Sequence, residues 1–343
     1  MSASVEAATP GGQNKSKNKP VAQMLLNLLG PFIGLILVTV MFSINPDVRS
    51  TFLTVYNFKL IASQTVITAI GALGMTLIIM SRGIDLSVGS LIALTSVIAA
   101  LILSAGFSPL LALLAALGLG AAVGAINGGF IAALKVPPFI VTLGTLGIVR
   151  GIALWIAHGQ AVNPPDKSWG FILNLGETVP TPSWLVLSQG VWLTIGAAVI
   201  TAIILRFTVF GRYIIAIGSN EVTSRLSGLR VDVLKVVIYA VGGLFFGLAG
   251  IVQLATNSQG DPTNDMGKEL DIIAAVVIGG GSLDGGEGSV LGSILGALIM
   301  VMLRNGAVHI GWPDAVQQII IGAVIVAAVA LDRLRHRGAR AGR

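Results

Sequence analysis

The sequence lacks cysteine and contains few charged residues. With no cysteine among its 343 residues, disulfides, thiolate metal sites and cysteine nucleophiles are excluded. Only 10% of the residues are charged and 54% are hydrophobic, whereas a soluble domain carries roughly a quarter charged residues. So few charges do not cover a water-facing surface, and the composition is typical of an integral membrane protein in a lipid bilayer.

Catalytic and nucleotide-binding motifs are also missing from the sequence. It contains no HExxH and no GxSxG pattern, so no hydrolase site is expected. The glycine-rich stretch DIIAAVVIGGGSLDGGEG resembles a phosphate loop at first sight, but no lysine followed by serine or threonine stands where a Walker A loop needs it. We therefore expect no enzyme activity, no cofactor, no metal site and no ATP site in this chain.

Long apolar runs, bounded by proline, glycine or charge, recur along the chain. They predict an all-α, polytopic transmembrane helix bundle with about ten spans, some of them short or broken. The runs lie near residues 21–44, 58–81, 84–105, 108–134, 138–158, 184–207, 236–257, 270–283, 288–304 and 313–331. The run 270–283 is predicted as a half helix or re-entrant segment, because it reaches only about 21 Å of the roughly 30 Å core.

The basic residues are distributed unevenly between the two sides of the predicted bundle. With ten spans, both termini and fifteen of the 21 basic residues fall on one side, which the positive-inside rule makes the cytoplasm. The sequence thus predicts a disordered cytoplasmic tail over 1–20, a transmembrane domain over 21–332 and a basic cytoplasmic tail over 333–343. This placement accounts for the high pI without nucleic acid as a partner.

Glycines recur at four-residue spacing in several runs. Such faces lack side chains and predict helices whose backbones approach closely. The glycines concerned are Gly120, Gly124 and Gly128, Gly147 and Gly151, Gly243 and Gly247, and Gly288, Gly292 and Gly296.

Five polar residues inside or beside the apolar runs are candidates for a substrate pathway. Asp85, in the stretch RGIDLSVGS, either caps the start of the third span or serves directly in gating or substrate binding. Arg150, deep in the fifth run, needs a cavity, an acidic partner or the outer interface, and outward snorkelling is the alternative to a pathway role. Asn127, Thr142 and Thr145 are weaker candidates, because such residues often only form hydrogen bonds between helices.

The inner connection between the sixth and seventh runs, FGRYIIAIGSNEVTSRLSGLRVDVLK, is the most polar internal segment. Ser219 or Asn220 is predicted to cap a short helix with Glu221 in its first turn and Gly228 as its stop. Such a helix fits docking to another protein. The alternative is a solvated, positively charged loop that only sets the orientation.

Four stretches together resemble the ribose-type, or monosaccharide, permease family of bacterial ABC importers, which is related to the branched-chain amino acid permeases. The resemblance extends over most of residues 58–332. The stretches are GIDLSVGSLIAL, AINGGFIAALKVPPFIVTLGTLGIVRGIALW, SRLSGLRVDVLKVVIYAVGGLFFGLAGIV and ELDIIAAVVIGGGSLDGGEGSVLGSILGALIM.

The resemblance implies an inner-membrane permease subunit for a monosaccharide or related polyol. Its implied partners are a second permease copy, identical or different, a cytoplasmic ABC ATPase and a periplasmic sugar-binding protein. It also implies that the loop 218–228 meets the ATPase through Ser219, Asn220, Glu221, Arg225, Leu226, Ser227 and Gly228. Thr223 and Ser224 depart from the two alanines usual in the family. Alternatives are an ion-coupled secondary transporter and an ABC permease for a branched-chain amino acid.

Overall fold

The computed structural model describes residues 19–180, 182, 184–264 and 266–340. Within these ranges the chain is helical and forms no β-strand, apart from one isolated bridge between Val162 and Gly260. The predicted all-α class is confirmed. Residues 1–18 of the disordered tail predicted over 1–20 lie outside the described residues. The basic tail predicted over 333–343 begins inside the last helix, which continues to residue 340, and residues 341–343 lie outside the description.

Fourteen α-helices follow one another within the described part of the chain. They are α1 Lys19–Ser43, α2 Pro46–Phe52, α3 Val55–Met80, α4 Val88–Ser104, α5 Pro109–Leu134, α6 Pro138–Ile156, α7 Leu173–Gly176, α8 Gln189–Phe207, α9 Val209–Ser219, α10 Glu221–Leu226, α11 Val231–Asn257, α12 Lys268–Ile278, α13 Val290–Ile310 and α14 Asp314–Arg340.

Most helices begin at a residue that favours a helix start. The side chains of Thr54, Ser108, Thr208 and Ser289 accept hydrogen bonds from backbone amides in the first turns of α3, α5, α9 and α13. Proline follows the cap in α5 and stands in the first turn of α6, where its missing amide hydrogen costs nothing. The helix starts are therefore determined by local sequence.

Six of the described helices are long and apolar enough to cross a membrane: α3, α5, α6, α8, α11 and α13. The predicted count of about ten spans is therefore not confirmed. The helix α12 within the run 270–283 has eleven residues, about 16 Å at 1.5 Å per residue, and does not cross a bilayer alone.

The helix α3 is the centre of the bundle. Almost all of it is buried, against α11, α13, α12 and α8, whereas α5, α6 and α8 leave most of their surface open. The open faces carry large apolar side chains such as Phe130, Leu143 and Trp155. Lipid is the solvent that such faces require.

The helices α5 and α11 are in backbone contact along most of their length. A Cβ atom on Gly120 would overlap the Gly243 carbonyl oxygen, and one on Gly124 would overlap that of Tyr239. On α11, a Cβ on Gly247 would overlap the Ala116 carbonyl oxygen in the same way. The predicted close packing of these glycine faces is confirmed.

The other predicted glycine faces differ in outcome. Gly296 packs α13 against the backbone of α12, Gly292 packs it against Gly279 just after α12, and Gly288, ahead of α13, packs on the Met80 side chain. The prediction is wrong for Gly147 and Gly151, because a Cβ at either position on α6 would meet nothing within 4 Å. Four-residue spacing does not by itself say whether a neighbouring helix lies over the face.

Candidate functional site

A buried polar turn, residues 81–87, connects α3 to α4. The Asp85 carboxylate is fully buried and accepts hydrogen bonds at Oδ1 from the Ser87 amide, at 2.8 Å, and from the Ser87 hydroxyl. Asp85 therefore accepts an amide hydrogen as the capping prediction requires, although the helix cap itself is Ser87. The carboxylate closes the turn that starts α4.

Asn127 of α5 holds the same carboxylate from the side. Its Nδ2 donates to Asp85 Oδ2 at 3.3 Å and to Ser87 Oγ at 3.0 Å. Its Oδ1 is buried and has no hydrogen-bond partner. An unpaired buried acceptor costs roughly 1–3 kcal/mol. The packing around Asn127 therefore has to offset this cost.

The Ile84 carbonyl oxygen of the turn binds two further helices. Thr142 of α6 donates to it from Oγ1 at 3.1 Å, and the Tyr239 hydroxyl of α11 reaches it at 3.4 Å. We call Asp85, Ser87, Asn127, Thr142 and Tyr239 the polar turn cluster. Three of the five predicted pathway residues, Asp85, Asn127 and Thr142, thus meet at this turn. Its contacts bring α5, α6 and α11 together at the end of α3.

Thr145 and Arg150 lie outside the polar turn cluster. Thr145 Oγ1 donates to Val141 within its own helix at 3.0 Å. Arg150 Nη1 donates to the carbonyl oxygens of Pro262 and Asn264, each at 2.7 Å. Arg150 therefore ties the far end of α6 to the loop between α11 and α12 and does not simply extend toward solvent.

The short helix predicted in the polar connection is α10. Asn220 is its cap, with its side chain accepting from the Thr223 amide at 3.0 Å, and Glu221 stands in the first turn. Gly228 follows the helix with a φ of +85°, the left-handed conformation that glycine adopts without strain. The predicted start and stop are both confirmed.

The surface of α10 is mostly unburied. Val222 and Leu226 are 68% and 84% exposed, and only Ser224 of the six residues is buried. Two apolar side chains project from a helix whose charged residues bind back to its own chain. This surface fits contact with another protein.

Two ion pairs join α10 to α11. Lys235 Nζ lies 2.9 Å from both carboxylate oxygens of Glu221, and Arg225 binds Asp232 as well as Glu221. Burial by itself would raise the pKa of the Glu221 carboxyl, but the hydrogen bonds and charges of Lys235 and Arg225 outweigh it and hold that pKa below its usual value. A carboxyl with a lowered pKa stabilises the fold above its unfolded pKa and loses that effect as the pH falls through the folded value. Glu221 is therefore ionised at neutral pH.

A cavity of about 550 Å³ lies between α10, the polar turn and the connection from α5 to α6. Its charged lining consists of Arg82, Lys135, Glu221, Arg225, Asp232 and Lys235, and Tyr239 forms part of its wall. Because Tyr239 also belongs to the polar turn cluster, the cavity extends from α10 to that cluster.

The glycine-rich stretch after α12 packs against the C-terminal end of α9. The Gly286 amide donates to the Met80 carbonyl oxygen at 2.9 Å, and a Cβ on Gly218 would overlap both groups. Gly285 and Gly286 both have a φ of +81°. These two left-handed glycines bend the chain sharply, and the bend brings three backbone segments together beside α10.

Sequence reasoning missed Ser87, Tyr239, Lys235 and Asp232. The spacing of Lys235, Tyr239, Gly243 and Gly247, four residues apart, is a signal that places the first two on the face that packs against α5. No comparable signal marks Ser87, whose role depends on the turn. Among the described residues, no group of three or more His, Asp or Glu side chains is arranged to hold a metal ion.

The sequence is similar to a known family of permeases and to several of its members. Residues 57–329 match the family described as the permease component of branched-chain amino acid transport systems. The ribose import permease protein of Escherichia coli K12 is 40% identical over 309 residues, which are 88% of this chain and 92% of that protein.

More distant relatives differ in the substrate they are named for. The autoinducer 2 import system permease protein of Photorhabdus luminescens is 34% identical over 88% of this chain and 89% of its own length. The L-arabinose ABC transporter permease protein of Azospirillum brasilense is 34% identical over 80% of each chain. No solved structure matches the chain significantly. The chain belongs to this family of ABC importer permeases, as a multi-pass inner-membrane subunit and not as the enzyme that hydrolyses ATP.

Proposed function

We propose that this permease moves a monosaccharide or related polyol into the cell, driven by a cytoplasmic ABC ATPase and supplied by a periplasmic sugar-binding protein. Relatives named for ribose, L-arabinose and autoinducer 2 support a polar, hydroxylated substrate. A path for such a molecule needs hydroxyl and amide groups and few charges, which agrees with the residues of the polar turn cluster.

The observation that carries the proposal is the helix α10. It presents Val222 and Leu226 outward while Glu221 and Arg225 bind back to α11. An apolar pair on a rigidly held helix is suited to insertion into a groove of a partner. We assign α10 and its flanking residues Ser219, Asn220, Ser227 and Gly228 to the contact with the ATPase.

The arrangement in the membrane follows from the same assignment. We propose that both termini and α10 face the cytoplasm, and that α1, α4 and α14 cross the bilayer together with the six long apolar helices. The half helix α12 and the glycine-rich stretch 279–288 after it together form the tenth crossing, which keeps the number of crossings even and both termini on one side. A second copy of the permease, identical or related, completes the pathway, within a transmembrane domain over 21–332 flanked by the tails 1–20 and 333–343.

The substrate pathway is proposed to run beside α6. Asp85, Asn127 and Thr142 lie at its α10 end, and Thr145 lies one turn further along. Arg150 holds the outer loop through Pro262 and Asn264. The alternating opening of the two faces is expected when ATP binding moves α10.

Changing Arg150 to alanine is expected to lower uptake several-fold without loss of assembly. The substitution removes two charge-assisted hydrogen bonds to the loop 260–264, each worth roughly 1.5–3 kcal/mol, and so loosens the outer end of α6. Uptake and co-purification of the ATPase are measured together, with Arg150→Lys as the charge-retaining control. Uptake by the alanine variant at the wild-type rate would mean that transport does not need the bonds from Arg150 to this loop.

The function is tested by reconstituting the permease, its ATPase and its binding protein in liposomes. Sugar uptake is expected only with all three proteins and ATP. Leu226→Glu is expected to weaken co-purification of the ATPase by at least about tenfold, because a buried charge without a partner costs more than 1.4 kcal/mol. The exposed Val179, in the segment between α7 and α8, supplies the matched control Val179→Glu. Equal ATPase recovery with both variants would contradict the assignment of α10.

The family description supports a branched-chain amino acid as a second candidate substrate. Binding of ribose, arabinose and leucine to the partner binding protein distinguishes the two candidates. Uptake driven by an ion gradient without the ATPase would instead establish secondary transport, in which a buried carboxylate such as Asp85 would bind the ion.

A further inference from the structure

The helix α10 is set off from α9 and α11 by a break in the helical backbone on each side. Asn220, between α9 and α10, is extended with φ −159° and ψ 100°, and Gly228 on the other side has a positive φ. Of its six residues only Ser224 is buried. Packing alone therefore holds α10 weakly, and its orientation depends on the ion pairs.

Lys235 makes the more protected of these contacts. Its ammonium group bridges both oxygens of Glu221 at 2.9 Å, and its side chain is 17% exposed, against 39% for Arg225. Salt screens a partly buried pair less than an exposed one. The bond from Lys235 to Glu221 is thus the tie between α10 and the transmembrane bundle that salt screens least.

Lys235 stands at the end of the α11 face that touches α5. A Cβ on Gly128 would overlap the Lys235 carbonyl oxygen, and the contact continues one turn later where Gly124 meets Tyr239. Because no side chain separates the two backbones, α5 and α11 have little room to slide independently. Force applied at Lys235 is carried by both helices.

The α5 and α11 pair also holds the polar turn. Asn127 of α5 binds Asp85 and Ser87, and Tyr239 of α11 reaches the Ile84 carbonyl oxygen, which also accepts from Thr142 of α6. A continuous set of contacts therefore leads from α10 to the start of α4 and to α6.

We propose that Lys235 is a positioning residue that makes α10 move as one body with α5 and α11, so that motion of the ATPase reaches the polar turn and α6. This inference rests on the proposed function, since it requires an ATPase at α10. It predicts that loss of the Lys235 contact separates ATP hydrolysis from transport, because the docking surface of Val222 and Leu226 remains intact while only the exposed Arg225–Asp232 pair is left to tie α10 to the bundle.

The test uses the full complex of permease, ATPase and binding protein in liposomes, with Lys235→Met as the variant. ATPase co-purification and ATP hydrolysis are expected to remain near wild type, while sugar molecules moved per ATP fall by about fivefold or more, the lower bound for a coupling contact. Lys235→Arg keeps the ion pair and is expected to restore the wild-type ratio. Lys135→Met removes a neighbouring charge that lines the same cavity and is expected to leave the ratio unchanged.

An exchange of charges provides the second measurement. Glu221→Lys alone is expected to uncouple transport, and Glu221→Lys with Lys235→Glu is expected to regain most of the ratio. An unchanged ratio for Lys235→Met, or a parallel fall of hydrolysis and uptake in a folded complex, overturns the inference. Failure of the wild-type permease to bind any ATPase would instead overturn the proposed function.

Discussion

Changing Asn127 to aspartate is expected to lower the yield of folded permease strongly. The substitution places a second carboxyl oxygen about where Nδ2 now lies, 3.3 Å from Asp85 Oδ2, in a fully buried site. Like charges at this distance disfavour each other's ionised form. Without a compensating partner the cost is on the order of 3–5 kcal/mol, a large part of the stability of an ordinary domain.

Exchanging the two residues distinguishes repulsion between two carboxyl groups from a general disturbance of packing at this site. Asp85→Asn combined with Asn127→Asp restores one carboxylate and one amide, and is expected to recover part of the folded yield. Yield after detergent extraction and size-exclusion profile are the measurements, with Asn257→Asp at the exposed end of α11 as the control. A wild-type profile for Asn127→Asp alone would mean that the polar turn cluster tolerates two carboxyl groups.

Changing Gly124 to alanine is expected to destabilise the protein, whereas the same change at Gly118 is expected to stabilise it slightly. Both residues lie on α5, but a Cβ at 124 would overlap the Tyr239 carbonyl oxygen while a Cβ at 118 would meet nothing within 4 Å. Forcing an extra methyl group into a packed interface costs about 1–3 kcal/mol. Alanine in an open helical position gains roughly 0.5–1 kcal/mol over glycine.

Thermal unfolding in detergent measures this difference, because each substitution adds one methyl group to the same helix. The midpoint is expected to fall for Gly124→Ala and to hold or rise for Gly118→Ala. Leucine at the two positions enlarges the contrast, with loss of folded protein expected only at 124. Equal midpoints for the two alanine variants would show that α5 and α11 separate easily, which would also weaken the inference on Lys235.

The helix α10 is the part of the candidate site that local sequence predicts well. Asn220 as a cap, Glu221 in the first turn and Gly228 as the stop act through bonds to backbone atoms a few residues away. Such interactions are complete within the segment. The structure adds what the segment does not contain, namely the Lys235 contact fourteen residues along the chain.

The sequence predicted which polar residues are candidates for the pathway, but not which of them contact one another. The burial of Asp85 and Asn127 follows from a polar residue beside or within an apolar run, yet their contact spans 42 positions. Thr142 and Thr145 are alike in sequence and differ in structure, because only Thr142 lies against the Ile84 carbonyl. Which of two equivalent residues bonds to another helix depends on where that helix packs.

The sequence by itself determined the membrane class, the helical architecture, most helix starts and the family, because hydropathy, caps and turn glycines act over one or two turns of chain. It did not determine that Gly124 meets Tyr239 while Gly147 faces open space, that Asp85, Asn127 and Thr142 converge on one turn, or that Lys235 binds Glu221. Those contacts join residues on different helices, and the tertiary packing decided them. The physical reason is that lipid satisfies an apolar helix face as well as a neighbouring helix does, so composition alone does not say which faces are covered.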